Sequence, residues 1–151
     1  MKPLISFDEI LLFAINSEQE AVDFYTRMSE QSRNTDMKQI FRQYAHEEAI
    51  HKNRLMSIRE QGLFEISENR IRDLQISDYA IEVIPGPDMT YADALLLAMK
   101  KEKAAFRLYQ DMAAEAINEE TKSILLTLAQ EEAKHELRFE QEYDKVVLRK
   151  I

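Results

Sequence analysis

The sequence predicts an all-α protein, an antiparallel four-helix bundle made of two duplicated helical hairpins joined by one long crossover. Three observations carry this expectation. Only two Gly and three Pro interrupt 151 residues that are 45% hydrophobic and 32% charged, a composition suited to long helices. Four stretches repeat their apolar residues at the three-and-four spacing of a helix stripe. Finally, adding 84 to a position in the first half reaches its counterpart in the second: Ala14 and Ala98, Ala21 and Ala105, Met28 and Met112, Ile40 and Ile124, Ala45 and Ala129, Arg54 and Arg138. An internal repeat of that kind marks a duplicated structural unit.

The first helix opens on Ser6-x-x-Glu9, a capping box, and no breaker follows before about Gln31. Its stripe is Leu11, Ala14, Glu18, Ala21, Tyr25 and Met28, so a glutamate sits among apolar residues. After the polar loop Ser32-Arg33-Asn34-Thr35, with Thr35 as the expected cap, the second helix runs to about Gln61 and stops at Gly62. Its stripe, Met37, Phe41, Tyr44, Glu48, His51, Leu55 and Ile58, is interrupted by two polar residues.

Helical spacing fades between Leu63 and Met89. Ile81-Glu82-Val83-Ile84 alternates like a strand and Pro85-Gly86-Pro87 forbids a helix, so an extended crossover is expected, with a short helix around Glu68 to Leu74. Some 27 residues exceed a simple hairpin turn and suit a connection running the length of a bundle. Thr90-x-x-Asp93 caps the third helix, expected to reach about Ala116 with the stripe Leu95, Ala98, Glu102, Ala105, Tyr109 and Met112. After a turn near Asn118 the fourth helix carries Leu125, Leu128, Glu132, His135, Phe139 and Val146, and is expected to fray in the basic tail from Lys145 to Ile151.

The polar residues inside these stripes form a pattern. Glu48 with His51, and Glu132 with His135, are each Glu-x-x-His, which places a carboxylate and an imidazole one turn apart on one helix face. Glu18 and Glu102 are related by the same offset of 84. Each glutamate stands about 15 residues from the turn of its hairpin, or roughly 22 Å at 1.5 Å per residue, so all four reach one level. Four carboxylates in a dry core repel by several kcal/mol per pair, and each unpaired buried charge costs several more. Two divalent ions would balance them with both imidazoles neutral. The expected metal ligands are therefore Glu18, Glu48, His51, Glu102, Glu132 and His135. Tyr25 and Tyr109, one heptad beyond Glu18 and Glu102, are candidate catalytic residues that would hydrogen-bond a ligand carboxylate or pass electrons. Glu20, Glu47, Glu131 and His46 fall off the stripe and read as surface residues.

Composition limits the chemistry further. Absence of Cys excludes disulfides, thiolate zinc sites, iron–sulfur clusters and a rubredoxin-type centre. A net charge of −8 leaves no basic stripe for nucleic acid. No apolar run is long enough for a membrane span and the N-terminal segment does not read as a signal peptide, so a cytoplasmic location is expected. The run Leu95-Leu96-Leu97 is apolar beyond one stripe and suggests a second buried surface, hence a homodimer.

One glutamate from each of two helices with Glu-x-x-His from each of the other two is the ligand set of ferritin-like di-iron or di-manganese bundles. The segment Glu18-Gln19-Glu20-Ala21-Val22-Asp23-Phe24-Tyr25 and the two Glu-x-x-His motifs resemble the rubrerythrin branch of that superfamily, over essentially the whole chain. The resemblance implies a ferritin-like fold and two iron ions, with manganese or zinc as alternatives. It implies that Glu48 and Glu132 bridge, that Glu18 and His51 cap one ion and that Glu102 and His135 cap the other. It implies an oxidoreductase that reduces hydrogen peroxide or dioxygen. Two departures stand out. No rubredoxin domain is present, so electrons would come from an external donor protein such as a rubredoxin, and the further glutamate that rubrerythrins carry three residues after the first ligand of the third helix is Ala105 here. The symmetric six-ligand set is closer to that of bacterioferritin. A ferroxidase or iron-binding protein, and a non-catalytic metal-binding scaffold, are the competing functions.

Overall fold

A computed structural model of the protein describes residues 7–62, 79–80 and 89–148. The helices are α1 (Phe7–Gln31), α2 (Thr35–Gln61), α3 (Tyr91–Glu115) and α4 (Glu119–Leu148). The expected capping residue Ser6, the strand-like segment at 81–84 and the short helix around 68–74 lie outside the described residues. The chain resolves into two compact units, one built on α1 and α2 and the other on α3 and the body of α4.

In the first unit, α1 and α2 pack along each other after a reversal of three residues. Asn34 caps α2, in place of the expected Thr35: its backbone is extended and its side chain accepts a 3.2 Å bond from Met37 N. The longer amide reaches the third helical N–H, and Thr35 becomes the first helical residue. At the other end Gly62 adopts φ 62° and donates to the carbonyls of Ile58 and Arg59, a left-handed stop that only glycine adopts without strain. Arg59 pairs with Asp8 at 2.7 Å near that end of the hairpin.

In the second unit, Thr90 caps α3 through a 3.0 Å bond from Asp93 N, as the motif predicts. Asn118 starts α4 by accepting from Glu120 N at 2.8 Å and Thr121 N at 3.2 Å. The end of α4 differs from expectation, because the helix continues to Leu148 through the first residues of the basic tail; Lys145 in the last turn favours it by opposing the negative end of the helix dipole. Tyr79 is buried and donates a 2.6 Å bond to Asp111, which fixes this point of the crossover to α3.

The core follows the stripes with a few exceptions. Leu11, Ala14, Tyr25, Met37, Phe41, Leu55 and Ile58 are buried in the first unit, and Leu95, Ala98, Tyr109, Met112, Leu125, Leu128 and Phe139 in the second. Tyr44, Ala105 and Val146 are half-buried. Leu95 and Leu97 are buried within the single chain and Leu96 is half-buried. No helix among the described residues is long and apolar enough to cross a membrane.

Candidate metal centre

Each unit buries the same three side chains. On α1 and α2, Glu18, Glu48 and His51 are 1–2% exposed; on α3 and α4, Glu102, Glu132 and His135 are 1–3% exposed. Their positions follow from helix spacing: Glu48 and His51 share a face of α2, Glu132 and His135 share a face of α4, and the glutamate of the preceding helix meets them at mid-length. Within each triad the potential ligand atoms lie within 4.8 Å of one another.

The separations suit donors that share a cation. His51 Nδ1 is 3.8 Å from both Glu18 Oε2 and Glu48 Oε2, and His135 Nδ1 is 3.5 Å from Glu102 Oε1. These exceed the 2.7–3.2 Å of ordinary N–H···O bonds. Metal–nitrogen and metal–oxygen bonds of about 2.0–2.2 Å put two donors about 3.0 Å apart at right angles and about 4.2 Å apart in line, and the observed distances fall between these limits. One divalent cation would neutralise the two carboxylates of each triad with its imidazole uncharged. Without such a cation, two buried carboxylates separated by less than 4.8 Å repel by about 3 kcal/mol or more at an effective dielectric near 20. The donors are carboxylate and imidazole alone, a set that suits iron, manganese and zinc.

The family profile of rubrerythrin matches residues 9–143. The chain belongs to the rubrerythrin family. A solved structure assigned as a ferritin-like diiron-carboxylate protein from Thermotoga maritima is similar over 97% of this chain and 99% of that one, with a TM-score of 0.77 and 21% sequence identity. The fold of this rubrerythrin-family chain is thus the ferritin-like four-helix bundle. No curated protein matches it.

Other polar residues around each triad were not evident from the stripes. Immediately after the ligands of the first unit, Lys52 Nζ donates to Gln19 Oε1 at 2.7 Å, a clasp between α1 and α2 beside Glu18 and His51. The equivalent positions in the second unit hold Lys103 and Glu136. Burial raises the Glu136 carboxyl above its ordinary value, Lys103 opposes that, and the charges of Glu140 and Glu102 add to it. In the second unit the cation therefore stands on the first helix of the pair instead of the second. The offset of 84 finds all four residues, although nothing in their types marks them beforehand.

A second surprise is Glu142, 7% exposed and two turns past His135 on α4. Arg138 Nη1 lies 3.9 Å from its Oε2. Burial raises the Tyr91 hydroxyl well above its ordinary value, with the Glu142 charge adding to the effect and Arg138 opposing it. The twin of Glu142 is Ile58 and that of Tyr91 is Phe7, so only the second unit carries this polar trio. His46 is exposed and Glu20 is exposed, while Glu47 and Glu131 are half-buried, in keeping with positions off the stripe. Tyr25 and Tyr109 are fully buried.

Proposed function

We propose that the two triads hold two iron ions in one di-iron centre, and that the protein reduces hydrogen peroxide or dioxygen with electrons from an external donor protein. The observation that carries this reading is the duplicated, buried set of two carboxylates and one imidazole in each hairpin, in a chain of the rubrerythrin family. Glu18 and His51 would cap one ion and Glu102 and His135 the other, with Glu48 and Glu132 shared between them. A bound pair of iron(II) ions would supply the two electrons that reduction of peroxide to water requires.

The remaining roles belong to the chain's own residues. Two carboxylates per ion cancel its charge, so a neutral centre is tolerated in an apolar core. Leu11, Ala14, Phe41 and Leu55 in one unit, with Leu95, Ala98, Leu125 and Phe139 in the other, are buried and keep bulk water from the ligands, which favours a small oxidant over a large substrate. The Tyr25 and Tyr109 hydroxyls, one heptad beyond Glu18 and Glu102, would hold ligand carboxylates in orientation. The Gln19–Lys52 clasp restrains α1 against α2 at the level where Glu18 and His51 must keep their spacing.

Stopped-flow mixing of the iron(II)-loaded protein with hydrogen peroxide tests the proposal. Oxidation within seconds, followed by re-reduction with a rubredoxin-type donor, is the expected result. No oxidation over minutes would refute it, and uptake of many irons per chain would favour iron storage instead.

A further inference from the structure

Large apolar side chains left exposed are ordinary when scattered singly. On α4 three of them fall in line. Leu126, Leu137 and Leu148, which are 41%, 54% and 66% exposed, stand 11 residues apart, and 11 residues make about three turns of helix. Gln130, Ala133, Gln141 and Asp144 fill the line between them, so a single charge interrupts it. The opposite side of the same helix buries Leu128, Glu132, His135 and Phe139, which leaves the leucine line facing away from the core.

The duplication shows that the fold does not require this line. Subtracting 84 from Leu126 and Leu137 gives Arg42 and Asn53, both exposed on α2, and Gln130 and Gln141 correspond to His46 and Ser57. The same line on the sister helix therefore holds no large apolar residue. Its exposed apolar residues, Ile50 and Met56, stand at the two edges of the line, where α4 has Lys134 and Glu140.

Charges flank the leucines by sign. A rotation of about 100° per residue puts Lys134, Arg138 and Lys145 along one edge of the line and Glu136 and Glu140 along the other. An apolar line between charged edges is the arrangement through which two helices pair. Two copies whose α4 helices run parallel, related by a two-fold axis along them, bring the basic edge of each against the acidic edge of the other. Asp144, on the acidic side of the line, then comes opposite Lys145 of the second copy. Antiparallel copies would set basic edge against basic and acidic against acidic.

We propose that this face of α4 is a homodimer surface on which the α4 helices of two copies pack in parallel, each leucine against its own counterpart. Such a contact is isologous, the same patch serving both copies. It stands independently of the ions that the triads hold.

Sedimentation equilibrium of the full chain over a hundredfold dilution tests the proposal. The expected result is a reversible monomer–dimer equilibrium that Leu137→Lys weakens at least tenfold, with circular dichroism and thermal melts verifying that the variant is folded. Because the chain has no cysteine, single cysteines report the orientation. With diamide as oxidant, Leu126→Cys, Leu137→Cys and Leu148→Cys should each form a disulfide-linked dimer at least tenfold faster than Asn53→Cys, the matching position on α2. Rapid linkage of Leu137→Cys alone, with Leu126→Cys joining only Leu148→Cys in a mixture, overturns the parallel arrangement. A wild type that stays monomeric at every concentration overturns the dimer and leaves the line as a surface for a different protein. A dimer that Leu137→Lys does not weaken puts the contact elsewhere on the chain and overturns the proposal equally.

Discussion

Replacing Glu18 by Gln keeps the shape of the side chain and removes one of two carboxylates buried side by side on α1 and α2. Ligand atoms of Glu18 and Glu48 lie within 4.8 Å, and two unit charges at that distance repel by about 3 kcal/mol at an effective dielectric near 20. That figure holds for two fully charged carboxylates, and any proton held by the triad relieves part of it. Metal-free Glu18→Gln should therefore be more stable than the metal-free wild type. At about 2–4 °C per kcal/mol for a chain of this size, melting rises by up to about 10 °C. Loading with metal reverses the order. A cation present at 100 times its dissociation constant stabilises the folded wild type by about 2.7 kcal/mol, and the variant loses most of that gain with its charged ligand. Calorimetric melts of both proteins, with and without anaerobic iron(II), measure the four values. A metal-free variant that melts below the metal-free wild type, with an unchanged shift on loading, would refute the reasoning that these carboxylates await a cation.

Three further outcomes test other parts of the structure. The Tyr91 hydroxyl is raised chiefly by burial, so above pH 10 the unfolded chain releases this proton while the folded chain keeps it. Stability then falls as pH rises through and beyond 10, and Tyr91→Phe should flatten that slope in denaturant melts between pH 9 and 11. The 2.6 Å bond from Tyr79 to Asp111 fixes the crossover to α3. Tyr79→Phe, which leaves the carboxylate without this donor, should lower unfolding free energy by about 1–3 kcal/mol by urea titration, whereas a loss below about 0.3 kcal/mol would show that solvent replaces the bond. Gly62 sits at φ 62° with open space around the place of a Cβ, so Gly62→Ala should cost about 1 kcal/mol through backbone strain alone, and Gly62→Asn less.

Much of this structure is legible in the sequence because helices impose one period on both packing and chemistry. The same spacing that selects Leu11, Ala14 and Tyr25 for the core also selects Glu18, and a charge on an apolar stripe is conspicuous. The duplication then does what a single motif cannot, since Glu132 and His135 repeat Glu48 and His51 at a constant offset. Helix ends were less legible: Asn34 and Thr35 are both competent caps, and which one leaves the helix depends on side-chain reach. Glu142 was missed because charge near the end of α4 reads as solvated unless Tyr91 and Arg138 are known to approach it. The clasp between Gln19 and Lys52, and the charges of Lys103 and Glu136, escaped for a similar reason, being ordinary surface residue types that stand next to ligands.

The central claim is that six side chains from four helices hold two ions. Anomalous diffraction at the iron edge from crystals grown with iron(II) measures this directly, with His51→Ala and His135→Ala as companions. The account predicts two peaks per chain, one bonded to Glu18 and His51 and the other to Glu102 and His135, with each histidine variant losing its own peak first. A wild type with no peak at these residues, or with its iron bound to surface carboxylates, would contradict it.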